Sequence, residues 1–279
     1  MKKPKFSVSN VVIRVFFIAY SVIVIYPILW TINTSFKTNQ EFYESVWALP
    51  SQLLVENYAV AWRLANLGMY FMNSVLIVAL AAVVALLLSA TAAYVIARYS
   101  FFGRGFIHKL FMSGLFVPLA LGLIPTFLFF VDLQLYDTRY GLGLIYVTYS
   151  LPFSIFVLVG FYKTLPVQLA EAARIDGAND YGIFFRIMLP ISKSGLVTVT
   201  IFNFLWTWND YLYAMIFVPT DARRTLPVGL VRLSETLQFR TLWGPLFAGL
   251  VIVIVPTLVM YGLFQRQLTS GVTAGGVKM

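Results

Sequence analysis

The feature that most limits how this chain can fold is a run of 23 residues without a charge, from Ser74 to Ile96. A helix of about 20 apolar residues spans the hydrocarbon core of a bilayer. In lipid the backbone must satisfy its own hydrogen bonds, which a helix does within one segment. The run lacks the alternating pattern of barrel strands. We therefore expect an all-α membrane protein.

Six runs of this kind recur along the chain. Only 11% of the 279 residues are charged and 60% are hydrophobic, whereas a soluble domain carries about 25% charged residues. We predict one transmembrane domain over residues 1–279. Its six spans are expected at about 12–32, 74–96, 110–131, 141–162, 195–218 and 243–264.

The charges divide unevenly between the two sides of these spans. One side holds 13 basic and three acidic residues, and the other side holds seven of each. Cytoplasmic loops carry the excess of Lys and Arg, so both termini are predicted to lie in the cytoplasm. Basic residues that follow the membrane do not form one patch, which argues against nucleic acid as a partner.

Motifs for catalysis and for metal binding are missing. The chain has no Cys and one His, His108, beside Lys109 in a basic stretch. It contains no G-x-x-x-x-G-K-[ST] phosphate loop, no G-x-S-x-G and no H-E-x-x-H. We predict no catalytic residue, no metal site and no cofactor bound by this chain.

Polar side chains in or beside the spans are the candidates for a solute pathway. Asn203 and Thr207 are four residues apart and share one helix face; amides and aromatic rings suit a neutral, hydroxyl-rich solute. The alternative for each amide is a hydrogen bond between packed spans. Asp210 is the main ionisable residue within a span, and it either contacts solute or lies near the headgroups and caps a helix. The set comprises Asn73, Asn203, Trp206, Thr207, Asn209 and Asp210.

A charged element, residues 163–194, separates the fourth and fifth spans. Local signals predict two short helices: a start at Thr164, a stop at Gly177, a cap at Asn179 or Asp180, and an end at Pro190. Leu165, Leu169, Ala172 and Ile175 form an apolar stripe at helical spacing. The element either rests on lipid headgroups or docks a cytoplasmic protein. The carboxylate of Glu171 favours docking, because anionic lipid would repel it.

These residues resemble a known signature. E-A-A, three residues, Gly, nine residues, Ile, one residue and Leu-Pro is similar to the coupling motif of ABC importer permeases. The D-G-A form resembles the carbohydrate branch, specifically the smaller permease subunit of maltose-type importers. The likeness extends over nearly the whole chain, through "YPILWTINTSFKT", "YFMNSVLIV", "AAYVIARYSFFGR", "WNDYLYA" and "TLPVGL". One departure is Ser194, where many relatives have a proline.

The resemblance implies a type I ABC importer permease fold in the inner membrane of a bacterial or archaeal cell. In this fold the coupling helix lies between spans four and five. The resemblance also implies four partners besides membrane lipid: a second homologous permease subunit, two cytoplasmic ATPase subunits and an external solute-binding protein. ATP and Mg would be used by the ATPases, so this chain is not expected to be an enzyme. The implied ATPase-coupling residues are Glu171, Ala172, Ala173, Asp176, Gly177, Ile187, Leu189 and Pro190.

The expected function is therefore that of the membrane subunit of an ATP-driven importer for a sugar or oligosaccharide. Four arginines in the outer loop 219–242 keep a second solute open, an anion such as glycerol phosphate. An ion-coupled secondary carrier is the alternative from a different class. Such carriers usually bury several ionisable groups and interrupt helices at the midplane, whereas here one Asp is the main ionisable group in the spans.

Overall fold

Long apolar runs fold into long helices in this chain. The structure is a computed structural model that describes residues 8–64, 66–240 and 242–276. Throughout the described ranges, every regular element is helical. This confirms the all-α prediction.

The helices follow one another with short connections. Their bounds are α1 Val8–Ser35, α2 Asn39–Glu44, α3 Glu56–Leu64, α4 Leu67–Arg98, α5 Arg104–Ser113, α6 Leu119–Asp132, α7 Arg139–Thr164, α8 Gln168–Ile175, α9 Asp180–Ile183, α10 Leu189–Ile191, α11 Lys193–Trp208, α12 Leu212–Phe217, α13 Leu226–Arg240 and α14 Trp243–Gly276. A π-helical turn, Phe184–Met188, joins α9 to α10, and a 3₁₀ turn, Asp221–Arg223, precedes α13.

Four of these helices are long and apolar enough to cross a membrane. They are Val11–Ser35 of α1, all of α4, all of α7 and Trp243–Gln265 of α14. A fifth span results if the bent pair Asp180–Ile191 and Lys193–Trp208 is counted as one. By length and composition, the described residues thus give four or five spanning helices, where the sequence predicts six.

The third predicted span, residues 110–131, is not one continuous helix. α5 ends at Ser113, and α6 begins only at Leu119. Pro118 has no backbone N–H and disfavours the helical conformation of the residue before it, so the helix cannot run through this point. The apolar remainder is a shorter helix, Ala120–Asp132.

The fifth predicted span, residues 195–218, is also interrupted. α11 is bent by 73° from the segment before it and ends at Trp208, and α12 follows at Leu212. The carboxylate of Asp210 accepts the N–H groups of Tyr213 and Ala214 at 3.3 and 3.0 Å. Capping of this kind starts a new helix, which divides the predicted span.

Clustering of contacts divides the chain into two units, residues 1–68 with 229–255, and residues 69–228 with 256–279. In the second unit one apolar cluster is formed around Tyr146 and Phe217. Another surrounds Tyr94, Tyr162 and Phe184, and it contains residues of the charged element, residues 163–194. The element is therefore packed onto the ends of α4 and α7 and is not a loose connector.

In the first unit, aromatic rings join α1 to α2 and to the start of α14. Trp30 packs edge-on against Phe247 with centroids 5.0 Å apart. Phe42 stacks on Trp243, also at 5.0 Å. The Trp243 indole N–H donates to the Tyr43 hydroxyl at 2.9 Å. These contacts fix α2 beside the first turn of α14.

Candidate functional site

The charged element, residues 163–194, contains the turn that its sequence predicts. Gly177 takes the left-handed conformation, with φ of +83°, just after α8. The side chain of Asn179 accepts the N–H of Gly182 at 2.8 Å and so caps α9. Both signals are confirmed, and Asn179 is the capping residue.

The start and the end of the element differ from the prediction. Thr164 is the last residue of α7, and α8 begins at Gln168. Leu165 is extended (φ −73°, ψ 142°) because it precedes Pro166. At the other end the helix does not stop at Pro190 but runs on to Ile191.

The π-helical turn explains why Pro190 is tolerated inside this helix. The N–H of Leu189 donates to the carbonyl of Phe184, five residues back. This wider turn loosens the regular ladder just before Pro190, which has no N–H to contribute. Single π-helical turns inside helices recur at functional sites.

The eight residues predicted to couple to an ATPase divide between an exposed and an inward face. Ala173 is buried in the cluster around Tyr94, and Ile187 and Leu189 are half-buried against the same cluster. The remaining five are exposed: Glu171, Ala172, Asp176, Gly177 and Pro190. The element therefore has an exposed surface that bears carboxylates, and its opposite side packs against α4 and α7.

Two large side chains of the element are strongly exposed. Ile175, in the predicted apolar stripe, is 88% exposed, and Tyr181 is 78% exposed. The position that α8 buries is Ala173, which is outside the predicted stripe. A stripe over a helix of only eight residues gives too few positions to fix which side turns inward.

An ion pair crosses the turn at Gly177. The Arg174 guanidinium lies 2.7 Å from a carboxylate oxygen of Asp180. This hydrogen bond, with a second one from Tyr99, lowers the pKa of Asp180 below its ordinary value. Burial, and then the bond to Asp180, raises the pKa of the Tyr99 phenol. Arg98 also donates to the Leu165 carbonyl. Residues at the end of α4 and just after it therefore bond to the chain on both sides of α8.

Three of the predicted pathway residues are buried and engaged with protein groups. The Asn73 amide donates to the carbonyls of Ala222 and Arg224 at 3.1 and 2.9 Å. The Asn203 amide donates to the Ser154 hydroxyl at 2.9 Å, from α11 to α7. The Thr207 hydroxyl donates to the Asn203 carbonyl at 2.8 Å.

The other three surround the break between α11 and α12. Asp210 caps α12, as the structural alternative for this residue predicts. It also accepts the Tyr146 hydroxyl at 2.8 Å. Trp206 packs edge-on against Tyr146 and Tyr149, with centroids 5.7 and 6.2 Å away. Asn209 is exposed and bonds only its own helix, at the Leu205 carbonyl.

Tyr146 and Tyr149 were missed by the sequence reasoning. They are three residues apart on α7 and thus share one face, a signal that the sequence does contain. Together with Trp206 they form a cluster of three aromatic rings, in which Tyr146 is fully buried and Trp206 and Tyr149 are half-buried.

The turn between α12 and α13 contains arginines that form ion pairs within the chain. Arg223 pairs with Asp137 at 2.7 Å, and Arg224 pairs with Asp221 at 2.8 Å. Arg139 donates to the Ala222 carbonyl at 2.9 Å. These cations already have acceptors within the chain. In the part of the chain that the structure describes, no cluster of three or more His, Asp or Glu residues is arranged to hold a metal ion.

Comparisons with known proteins agree on one family. The model of the family "binding-protein-dependent transport system inner membrane component" matches residues 87–268. A diacetylchitobiose uptake system permease protein of Streptomyces coelicolor is 41% identical, over 92% of this chain and 85% of its own length. An arabinooligosaccharides transport system permease protein of Halalkalibacterium halodurans is 32% identical over the full length of both chains.

A solved structure has the same fold. A chain in the crystal structure of a bacterial ABC transporter involved in the import of the acidic polysaccharide alginate superposes with a TM-score of 0.83. The match covers 95% of this chain and 99% of the other, at 23% sequence identity.

Proposed function

Because this chain belongs to the family of binding-protein-dependent transport system inner membrane components, we propose that it imports a sugar or oligosaccharide as the permease subunit of an ATP-driven transporter. The observation that carries the solute class is the similarity to permeases named for diacetylchitobiose and arabinooligosaccharides, which extends over at least nine-tenths of this chain.

The chain is a multi-pass inner membrane protein, and its finer topology forms part of the proposal. α5 with α6 makes a broken third span, and α11 with α12 makes a broken fifth span. Residues 1–279 then form one permease domain with six spans and with both termini in the cytoplasm. The excess of basic residues on that side supports this orientation.

The cytoplasmic element, residues 163–194, is the proposed docking surface for an ATPase subunit. Its support is the set of exposed residues that includes Glu171, together with the exposed side chains of Ile175 and Tyr181 on the same element. Exposed apolar side chains outside the lipid suit a protein partner. Ala173, Ile187 and Leu189 hold the element on α4 and α7, so a force on α8 is carried into both helices.

The assembly proposed around this chain follows from its family. A second homologous permease completes the pathway, two ATPase subunits bind ATP and Mg in the cytoplasm, and a solute-binding protein delivers the solute outside. This chain supplies positioning and motion and no cofactor of its own.

The solute contact proposed for this chain centres on Trp206, with Tyr146 and Tyr149 beside it and Asn209 exposed nearby. Flat rings suit sugar faces, and the Asn209 amide suits a hydroxyl. Asn73, Asn203, Thr207 and Asp210 shape the pathway by holding its walls, since each is engaged with protein groups.

An anionic solute and an ion-coupled mechanism of transport receive less support. An anion such as glycerol phosphate would need free cations, whereas two of the four arginines in the outer loop, Arg223 and Arg224, are paired with acids. An ion-coupled carrier would need a carboxylate that binds the ion, whereas Asp210 already accepts three hydrogen bonds.

Reconstitution tests the proposal. Proteoliposomes holding the whole transporter with its solute-binding protein should take up radiolabelled oligosaccharide when ATP is enclosed, and the uptake should survive dissipation of proton and sodium gradients. Uptake that needs a gradient and ignores ATP would indicate a secondary carrier. A binding protein that retains only a phosphate ester would overturn the solute class.

A further inference from the structure

The outer-loop tip, residues 45–49, folds back along α1 instead of projecting away from it. The Trp30 indole N–H donates to the Val46 carbonyl at 2.9 Å, and the Asn33 amide donates to the Ala48 carbonyl at 3.0 Å. The Trp47 ring stacks on Tyr26, with centroids 6.1 Å apart. These contacts place the tip beside the outer part of a spanning helix.

The depth of the tip follows from helix geometry. The span expected at about 12–32 ends two residues beyond Trp30 and six beyond Tyr26. At 1.5 Å per residue, these partners lie about 3 and 9 Å back along the helix. Interfacial elements bury their apolar face about 5–10 Å into the boundary between headgroups and acyl chains. The tip therefore reaches the level at which such elements sit.

The side chains of the tip and of the residues after it are apolar and uncovered. Trp47 is 66% exposed and Leu49 is 83% exposed, and Leu53 follows at 70%. The neighbouring face of α1 is equally uncovered, with Ile25 at 50%. The apolar surface is therefore continuous from a spanning helix to the loop, and Trp and Tyr are enriched at the interface between membrane and water.

The backbone of the tip is adapted to a place with little water. Non-helical backbone at membrane depth is tolerated only where its polar groups are satisfied. Lys37, which is 1% exposed, donates its ammonium group to the carbonyls of Ser45 and Val46 at 2.9 and 3.2 Å. The N–H of Ala48 donates to the Ser45 hydroxyl. Burial lowers the pKa of Lys37, in keeping with an ammonium group that the loop has enclosed.

Polar groups are segregated to the other end of the loop. Gln40 donates to Glu44 within α2 at 2.8 Å. Glu41 accepts hydrogen bonds from Ser51 and from Thr38, which closes the base of the loop. The loop thus has a polar base and an apolar tip, as an element inserted in a bilayer interface requires.

We propose that the outer-loop tip, with Trp47 and Leu49 at its end, inserts into the outer leaflet of the membrane as a lipid-interface wedge. The wedge anchors α2 and, through Phe42 and Tyr43, the first turn of α14. A protein partner seated on the same residues is the competing occupant, and its signature differs.

Spin labelling tests the wedge directly, because the chain has no native Cys. Single variants Leu49→Cys, Ile25→Cys and Gln40→Cys are labelled in the complete transporter in lipid nanodiscs. Collisions with oxygen and with a water-soluble nickel chelate are then measured. Ile25, on the exposed face of α1, is the lipid control, and Gln40, exposed on α2, is the aqueous control.

We expect the label at residue 49 to collide preferentially with oxygen, so that the sign of its depth parameter matches residue 25 and is opposite to residue 40. Preference for the nickel chelate at residue 49 would place the tip in water and overturn the wedge. Weak collisions with both reagents would show a covering protein and would overturn it as well. Both results leave the proposed transport function untouched.

Discussion

For Asn203, a solute contact and a structural role predict different effects of substitution: the first raises the apparent KM, and the second lowers the free energy of unfolding. Its amide donates to Ser154, which is fully buried. Hydrogen bonds between spans contribute about 0.6 kcal/mol on average. We expect Asn203→Ala to lower the free energy of unfolding by about that amount and to leave the apparent KM for the transported solute unchanged.

A double-mutant cycle with Ser154→Ala, followed by thermal unfolding in detergent, measures this bond. The double variant should lose less than the sum of the two single variants. Thr200→Ala is the control, because its hydroxyl bonds only its own helix at Leu196. Additive losses together with a raised KM would instead identify Asn203 as a solute contact.

Gly177 sets the bend of the coupling element by its conformation alone. An added Cβ would meet no atom within 4 Å, but φ is +83°, which disfavours any L side chain. Gly177→Ala should therefore lower the free energy of unfolding by about 1 kcal/mol. Gly160 offers a matched control, since it has equal open space in a regular helix. There Ala should be neutral or stabilising, and equal losses at both sites would refute the argument.

At the scale of elements, the ion pair between Arg174 and Asp180 ties α8 to α9. Because this bond lowers the pKa of Asp180, its contribution is complete above the ordinary Asp pKa of 3.8 and is lost only as pH falls through the lowered value. Asp180→Asn should remove the contribution at every pH. Hydrogen exchange at pH 7 should then be faster in residues 168–183.

Lys193→Ala changes an exposed charge on the same side and serves as the control for this exchange experiment. It should leave the protection of residues 168–183 unchanged. The same exchange rates in Asp180→Asn and in the unaltered protein would show that the ion pair does not hold the two helices together.

Features that are set by neighbouring residues can be predicted from the sequence, whereas those set by distant residues cannot. The turn of the coupling element is predictable because Gly177 and Asn179 act on their immediate neighbours. The break after Ser113 is not, because a proline by itself does not indicate a break: other prolines of this chain, such as Pro125 and Pro152, stand inside continuous helices. Asp210 divides a predicted span in the same way. The partner of Asn203 lies 49 positions away, and no local pattern indicates such a pairing.

At the scale of the molecule, cysteine chemistry can test the number of crossings between α2 and α8. In the six-span topology Gln40 lies outside, and Phe102, fully exposed between α4 and α5, lies inside. A membrane-impermeant thiol reagent should therefore label Gln40→Cys in intact cells. It should label Phe102→Cys and Asp176→Cys only after permeabilisation. Labelling of residue 102 from outside would contradict the topology.

The central claim is that α8 transmits the action of an ATPase into the membrane helices. Glu171→Arg in the assembled transporter tests it most directly, because the side chain is exposed and reversal of its charge should disturb docking without disturbing the fold. Lys193→Glu is the control for a reversed charge elsewhere on the same side. We predict that Glu171→Arg abolishes solute-stimulated ATP hydrolysis and uptake, whereas the control retains both. Unchanged hydrolysis and uptake in Glu171→Arg would contradict the account.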